Sequence, residues 1–248
     1  MPLTLITPRW IVLHIATAVV VGIFIALGWW QLQVYRDSDA REKLRELPAA
    51  PVTELATPGR ALDGAVDRAA VATGAYLTDA NLLVPARVHE GVLGSYTVGV
   101  LRTDDGALPV LRGWVSGPDD PAGDVPTGQV TVTGHLLRPE TSDDATDPGA
   151  QLPGGQIGFI APEQVASQTG IDQADLYRGY LLLAEENPQP VAAPEPLDIA
   201  VVDPIRNVGP LQNLSYWALW WIFAVATVVF WFSSARAAAR GPGRISRG

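Results

Sequence analysis

Three histidines (His14, His89 and His135) at no metal-ligand spacing, no cysteine, and a methionine only at position 1 leave this 248-residue chain few ways to hold a metal. The missing thiol removes a cysteine nucleophile, a disulfide framework, a covalent c-type haem and a thiolate copper site. The chain has no Gly-rich phosphate loop, no nucleophile elbow and no H-E-x-x-H. The adjacent pairs Asp104/Asp105, Asp119/Asp120 and Asp143/Asp144 fall in turn-rich stretches and are most simply solvated loop charges. Conventional catalysis is therefore not expected.

Three groups of residues still have types that could carry function. His14 sits inside an apolar run, where a lone histidine is a functional candidate by default. It is either an axial haem ligand or polar contact to a cofactor, or a histidine hydrogen-bonded to a neighbouring helix. Stepping by four from it gives His14, Ala18, Gly22, Ala26 and Trp30, and Gly22-x-x-x-Ala26 offers a small-residue surface on which another helix can pack. Of eight tryptophans only Trp114 lies away from the apolar runs, in Val110-Leu111-Arg112-Gly113-Trp114-Val115. Either this is a strand end with Trp114 in a core and Gly113 allowing close approach or a bulge, or Arg112 and Trp114 present a partner-binding surface. Tyr216/Trp220 and Trp217/Trp221 are i,i+4 aromatic pairs, which suit an interfacial belt or a flat face for a porphyrin or helix.

The elements that must position these residues follow from charge and hydropathy. All 26 acidic residues lie between Asp37 and Asp203, and an apolar run flanks each end, Trp10 to Trp30 and roughly Leu214 to Phe232. These cover about 31 and 28 Å as helices, close to the ~30 Å of bilayer hydrocarbon. Trp10, Trp29 and Trp30 bracket the first run, which is longer than a signal h-region and ends without a small-x-small cleavage site. The expected plan is a cytoplasmic tail (1–9), a first span (10–30), an extracytoplasmic domain (31–213), a second span (214–232) and a basic cytoplasmic tail (233–248). The four arginines of the last segment set the orientation, and long domains translocate largely regardless of the charges at Arg36, Arg41, Lys43 and Arg45. Residues 31–213 hold 12 basic against 26 acidic residues, a net −14 that argues against nucleic acid or anionic lipid as partners.

Past Trp30 the first helix should continue to about Leu47. Short β-rich runs then alternate with turn signals: 70–77, 81–87, 95–102, 108–115, 130–137, 156–160 and 176–185. Asp104-Asp105-Gly106 reads as a hairpin turn. Pro139–Gly155 reads as a mobile acidic loop, Pro162–Thr169 as a helix capped by Gly170, and 187–196 as an extended proline-rich segment. The expected fold class is membrane-anchored α+β, with two transmembrane helices flanking a mostly antiparallel β-sandwich or barrel-like domain.

Several motifs together carry a family likeness. Gly28-x-Trp30-Gln31-Leu32, Gly94-Ser95-Tyr96, the Arg112-Gly113-Trp114 core, Val130 through Arg138, and Gly209-Pro210-Leu211-Gln212-Asn213-Leu214-Ser215-Tyr216-Trp217 occur in order. In these the chain resembles the surfeit-locus (Surf-one-like) family of cytochrome c oxidase assembly factors. Asn213 stands in what is commonly a His-Leu-Ser-Tyr-like stretch, so the second span has no histidine and His14 is the alternative haem contact.

The resemblance implies a non-enzymatic role in maturing subunit I of a haem-copper oxidase, with transient handling of haem a and no resident cofactor or metal. Permanent residence as an accessory subunit without haem is the alternative. His14, Tyr216 and Trp220 would be the cofactor-side residues. Trp30, Gln31, Arg112, Gly113, Trp114, Gly22 and Ala26 would meet protein partners: subunit I and other membrane assembly factors. The implied location is the plasma membrane of a bacterium.

Overall fold

An apolar run without internal proline, continued by a helix-favouring polar stretch, lets α1 (Pro8–Arg45) run unbroken for 38 residues past Trp30. The computed structural model describes residues 7–147, 149, 151–203 and 210–240. The first tail residues 1–6, the approach 204–209 with Arg206 and Gly209, and the end of the basic tail with Arg244 and Arg247 lie outside them. The chain divides into two units: a helical one from its two ends, and a sheet unit over Arg41–Pro204.

In the helical unit, α1 packs against α5 (Pro210–Arg240). Both are long and apolar enough to cross a membrane, with mean hydropathy of 2.5 and 1.8 over their most apolar windows. Over residues 10–31 the shielded positions of α1 are Trp10, His14, Thr17, Val21, Phe24, Leu27, Gly28 and Gln31. Over 214–231 those of α5 are Trp217, Ala218, Trp220, Ala224, Thr227 and Trp231. Leu27 and Ala218 aside, both sets alternate steps of three and four, the 3.5-residue seam of a left-handed helix pair. His14 meets Trp231 while Phe24 meets Trp220, so the two helices run antiparallel.

The sheet unit holds β1 (Ala50–Pro51), α2 (Val52–Leu55), β2 (Ala69–His89), β3 (Val92–Arg102), β4 (Ala107–Val115), β5 (Gln129–Leu137), α3 (Pro162–Thr169), β6 (Tyr180–Asn187) and α4 (Ile199–Val202). The pairing is mostly antiparallel as expected, but in place of a sandwich or barrel the strands form one mixed six-stranded sheet in the order β1-β2-β3-β4-β6-β5. The β1–β2 and β4–β6 pairings are parallel. The long β2 pairs with β5 along its first part and with β3 along its second. It therefore joins two expected strands into one, with a register shift between Tyr76 and Asn81 where they were divided.

Residues 156–160 form no strand. Only an isolated bridge joins Gln156 to Leu83, and Ile157 and Ile160 enter the core as loop side chains. The 176–185 run becomes a strand only from Tyr180. The hairpin turn at 104–106 and the helix α3 with its left-handed Gly170 cap (φ 72°) stand where the sequence puts them. Within the acidic loop, Thr141 and Asp144 form a capping box and Thr146 Oγ1 donates to the Ala86 carbonyl. Residues 148 and 150 of that loop lie outside the described ones.

Every residue of β4 is buried, because both faces of this central strand are covered. One core cluster packs Leu82, Val98 and Leu111 with Ile157, Ile160 and Val165. The other draws side chains from all five long strands, among them Ala72, Leu101, Val110, Val132 and Leu181.

Candidate functional site

In the sheet unit the chemistry gathers around a bulge in β4. Thr97 pairs with Gly113 and Val98 with Leu111, which leaves Arg112 as the extra residue. Such an insertion bends the strand and redirects one side chain, and here it turns Arg112 into the interior. The residue is 3% exposed. Its Nη2 reaches Glu186 Oε2 at 3.1 Å. Nη1 donates to the Asp124 carbonyl at 2.7 Å and the Gly123 carbonyl at 3.3 Å. Its guanidinium lies 5.5 Å from the Tyr76 ring centroid. Asn81 Nδ2 and Thr97 Oγ1 also donate to the Gly123 carbonyl, at 2.9 and 3.2 Å. The charge thus ties β4 to β6 and to the loop before β5. Arg112 Nε is buried without a hydrogen-bond partner, and the buried Tyr76 hydroxyl lies against the Glu186 carboxylate and the Arg112 guanidinium. Burial, and then the Glu186 charge, pushes the Tyr76 phenol far above its ordinary value.

Gly113 follows with φ 155°, a conformation that side chains disfavour, and a Cβ there would sit 2.4 Å from the Glu195 carbonyl oxygen. That space lets Trp114 and Glu195 exchange backbone hydrogen bonds of 2.8 and 2.9 Å. Trp114 Nε1 donates to the Arg87 carbonyl at 2.9 Å, and its ring fills the space that a Cβ on Gly94 would need. Arg87 in turn pairs with Glu140 at 2.8 Å and lies over the Tyr96 ring. Burial raises the Glu140 carboxyl above its ordinary value, against the pull of Arg87 and of the Ile160 N–H. With Arg112 3% and Trp114 5% exposed, neither side chain offers a partner a surface. The Arg-Gly-Trp segment is the knot that closes the sheet unit.

In the helical unit, Trp231 Nε1 donates to His14 Nδ1 at 2.8 Å, with the rings edge-on at 5.5 Å, and Trp10 packs against His14 at 5.9 Å. Indole is a donor only, so Nδ1 is the bare nitrogen and Nε2 carries the proton. Ligation of haem iron through Nε2 needs the opposite tautomer. As held, His14 does not fit an axial ligand. Trp220 stacks on Phe24 at 5.9 Å, so that face of its indole is taken, while Tyr216 is exposed. Gly28 lies at the closest approach, where a Cβ would be 3.1 Å from Trp221 Nε1.

The four-residue stripe from His14 does not share one face. Each step of four overshoots a full turn by about 40°, so four steps wind about 160° round the helix. Gly22, Ala26 and Trp30 accordingly point away from α5, while Gln31 is buried on the seam side. Glu186, Glu140, Tyr76 and Trp231 are the residues that spacing did not identify. Each matters only through a partner distant in sequence, and 26 carboxylates compete for the role of Arg112's counter-ion.

Two helices long and apolar enough to cross a membrane, in one chain with a sheet unit closed by buried charge, suggest a membrane-anchored protein. The SURF1 family model matches residues 18–225, taking in most of α1, the whole sheet unit and half of α5, and the chain belongs to the SURF1 family. That family is linked to cytochrome oxidase assembly. The chain is also similar to SURF1-like proteins of Mycobacterium bovis and of two Mycobacterium tuberculosis strains. Each is 28% identical over 232 residues, covering 89% of this chain and 81% of the relative.

Proposed function

We propose that this chain is a non-enzymatic membrane factor that assists assembly of a haem-copper cytochrome c oxidase at the level of subunit I. The observation that carries the reading is the family match, which reaches into both apolar helices and takes in the sheet unit. The geometry supports a docking role. The helix pair satisfies its own aromatic seam and leaves Gly22 and Ala26 outward, a small-residue surface for a helix of a partially assembled oxidase. Any help in placing haem a would act through contacts to subunit I, because His14 as held lacks a bare Nε2.

Two bilayer spans, an extracytoplasmic sheet unit, cytoplasmic termini and residence in a bacterial plasma membrane complete the proposal. Helix length and hydropathy support it, as do the four arginines after Phe232 and the bacterial relatives. Deletion of the gene should deplete the a-type oxidase absorbance of membranes while other respiratory complexes keep theirs. Unchanged oxidase spectra and activity would refute the role. Stoichiometric recovery of the chain with purified oxidase would replace the assembly factor by a resident subunit.

A further inference from the structure

Beyond Leu182, one edge of β6 is left without a strand. Its partner there would be β4, but those two strands pair only at Val110↔Leu181 and Leu111↔Leu182. The bulge at Arg112 then turns β4 aside, and Trp114 pairs with Glu195 instead. On its other edge β6 stays paired with β5 as far as Asn187. A groove of about 620 Å³ opens between Leu183–Asn187 and the segment 189–196. Five consecutive β6 residues line it, so it runs along the strand; a groove over one face would meet only alternate residues. Among the described residues no backbone hydrogen bond joins 183–187 to that segment. Pro188, Pro190, Pro194 and Pro196 have no N–H with which to complete the ladder.

The floor of the groove supplies a second feature. Glu186 there is committed to Arg112 through Oε2, lies against the Tyr76 hydroxyl and is only 4% exposed. The exposed Glu185 beside it leaves the lining one carboxylate beyond the Arg112–Glu186 pair. We infer that the groove receives an extended basic segment of a partner protein as an added strand on β6, its cationic side chain meeting Glu185. Backbone ladder bonds would supply affinity and Glu185 would supply selectivity. The inference does not depend on the oxidase role and can fail without touching it.

The test titrates the full-length chain in detergent with a fluorescein-labelled peptide, acetyl-Thr-Val-Arg-Val-Thr-amide, followed by anisotropy and by amide hydrogen exchange. Saturable binding that protects residues 183–187 is expected, and glutamate in place of the peptide's arginine should weaken it about tenfold or more. Glu185→Lys, at an exposed position, should weaken it similarly with the fold intact, and so should N-methylation of alternate peptide amides. Absence of saturable binding, equal affinity for the glutamate peptide, or protection confined to other segments would overturn the inference.

Discussion

Arg112 shows how one buried cation can set a local structure. Removing it by Arg112→Ala would leave the Glu186 carboxylate buried without its counter-ion, a change that costs about 3–5 kcal/mol. The double variant Arg112→Met/Glu186→Leu removes both charges and should recover most of that loss in denaturant unfolding. If the double variant is no more stable than the single one, the pair is not the source of the cost. Gly113→Ala should lose about 2–3 kcal/mol, because it adds both backbone strain and a collision with the Glu195 carbonyl oxygen.

Tyr76 makes the opposite case. Its hydroxyl lies beside the Arg112–Glu186 pair without a hydrogen bond of good geometry, so Tyr76→Phe should change neutral-pH stability by about 1 kcal/mol or less. The pH dependence has a definite sign. The folded state holds the phenol neutral above its ordinary value of 10.0, so its contribution is intact below pH 10 and is lost as pH rises beyond it. Tyr96, Tyr177 and Tyr180 are raised by burial as well, so Tyr76→Phe should make the alkaline fall of Tm shallower without abolishing it. An alkaline profile identical to the native one would show that the Tyr76 phenol is not held neutral by the fold.

Among the elements, the α1–α5 pair rests on a 3.5-residue seam that includes a polar bond, Trp231 to His14. Interhelical hydrogen bonds between apolar helices contribute about 0.6–1.7 kcal/mol. Trp231→Phe keeps the aromatic packing and removes only the donor. It should therefore weaken the pair by about that amount, read as increased accessibility of a cysteine introduced at Val21 to a thiol reagent. His14→Ala should have at least as large an effect. If both variants behave like the native chain, the bond does not hold the helices. The same seam separates two kinds of small residue. A Cβ on Gly28 already crowds Trp221, so Gly28→Leu should disrupt the pair, whereas a Cβ on Gly22 meets nothing within 4 Å and Gly22→Leu should spare it.

At the scale of the whole molecule, the proposed topology puts every carboxylate on one side of a bilayer and the four arginines that follow Phe232 on the other. A phosphatase reporter, active only outside the cytoplasm, should be silent when fused after Gly248 and active when fused within the exposed Gly117–Gly128 loop. The reverse pattern would turn the chain over and withdraw the outer-face docking surface. High salt should change sheet-unit stability little, because its closest ion pairs, Arg45–Asp67, Arg87–Glu140 and Arg112–Glu186, are largely buried and weakly screened.

The residues determined by themselves whatever depends on near neighbours. Two apolar runs of spanning length, the helix continuing past Trp30, the turn at Asp104–Gly106 and the Gly170 cap all follow from local periodicity and backbone preference. The Arg-Gly-Trp segment and its neighbouring motifs likewise carried the family likeness. Tertiary structure alone decided what those motifs do. The bulge that turns Arg112 inward and the union of two β runs into one bent β2 arise from pairings across tens of residues. So do the parallel contact of β4 with β6 and the choice of Glu186 over other carboxylates. The His14–Trp231 bond spans 217 positions and fixes the histidine's tautomer. No short-range preference encodes such contacts, because burial, register and counter-ion choice exist only once distant strands and helices share one interior.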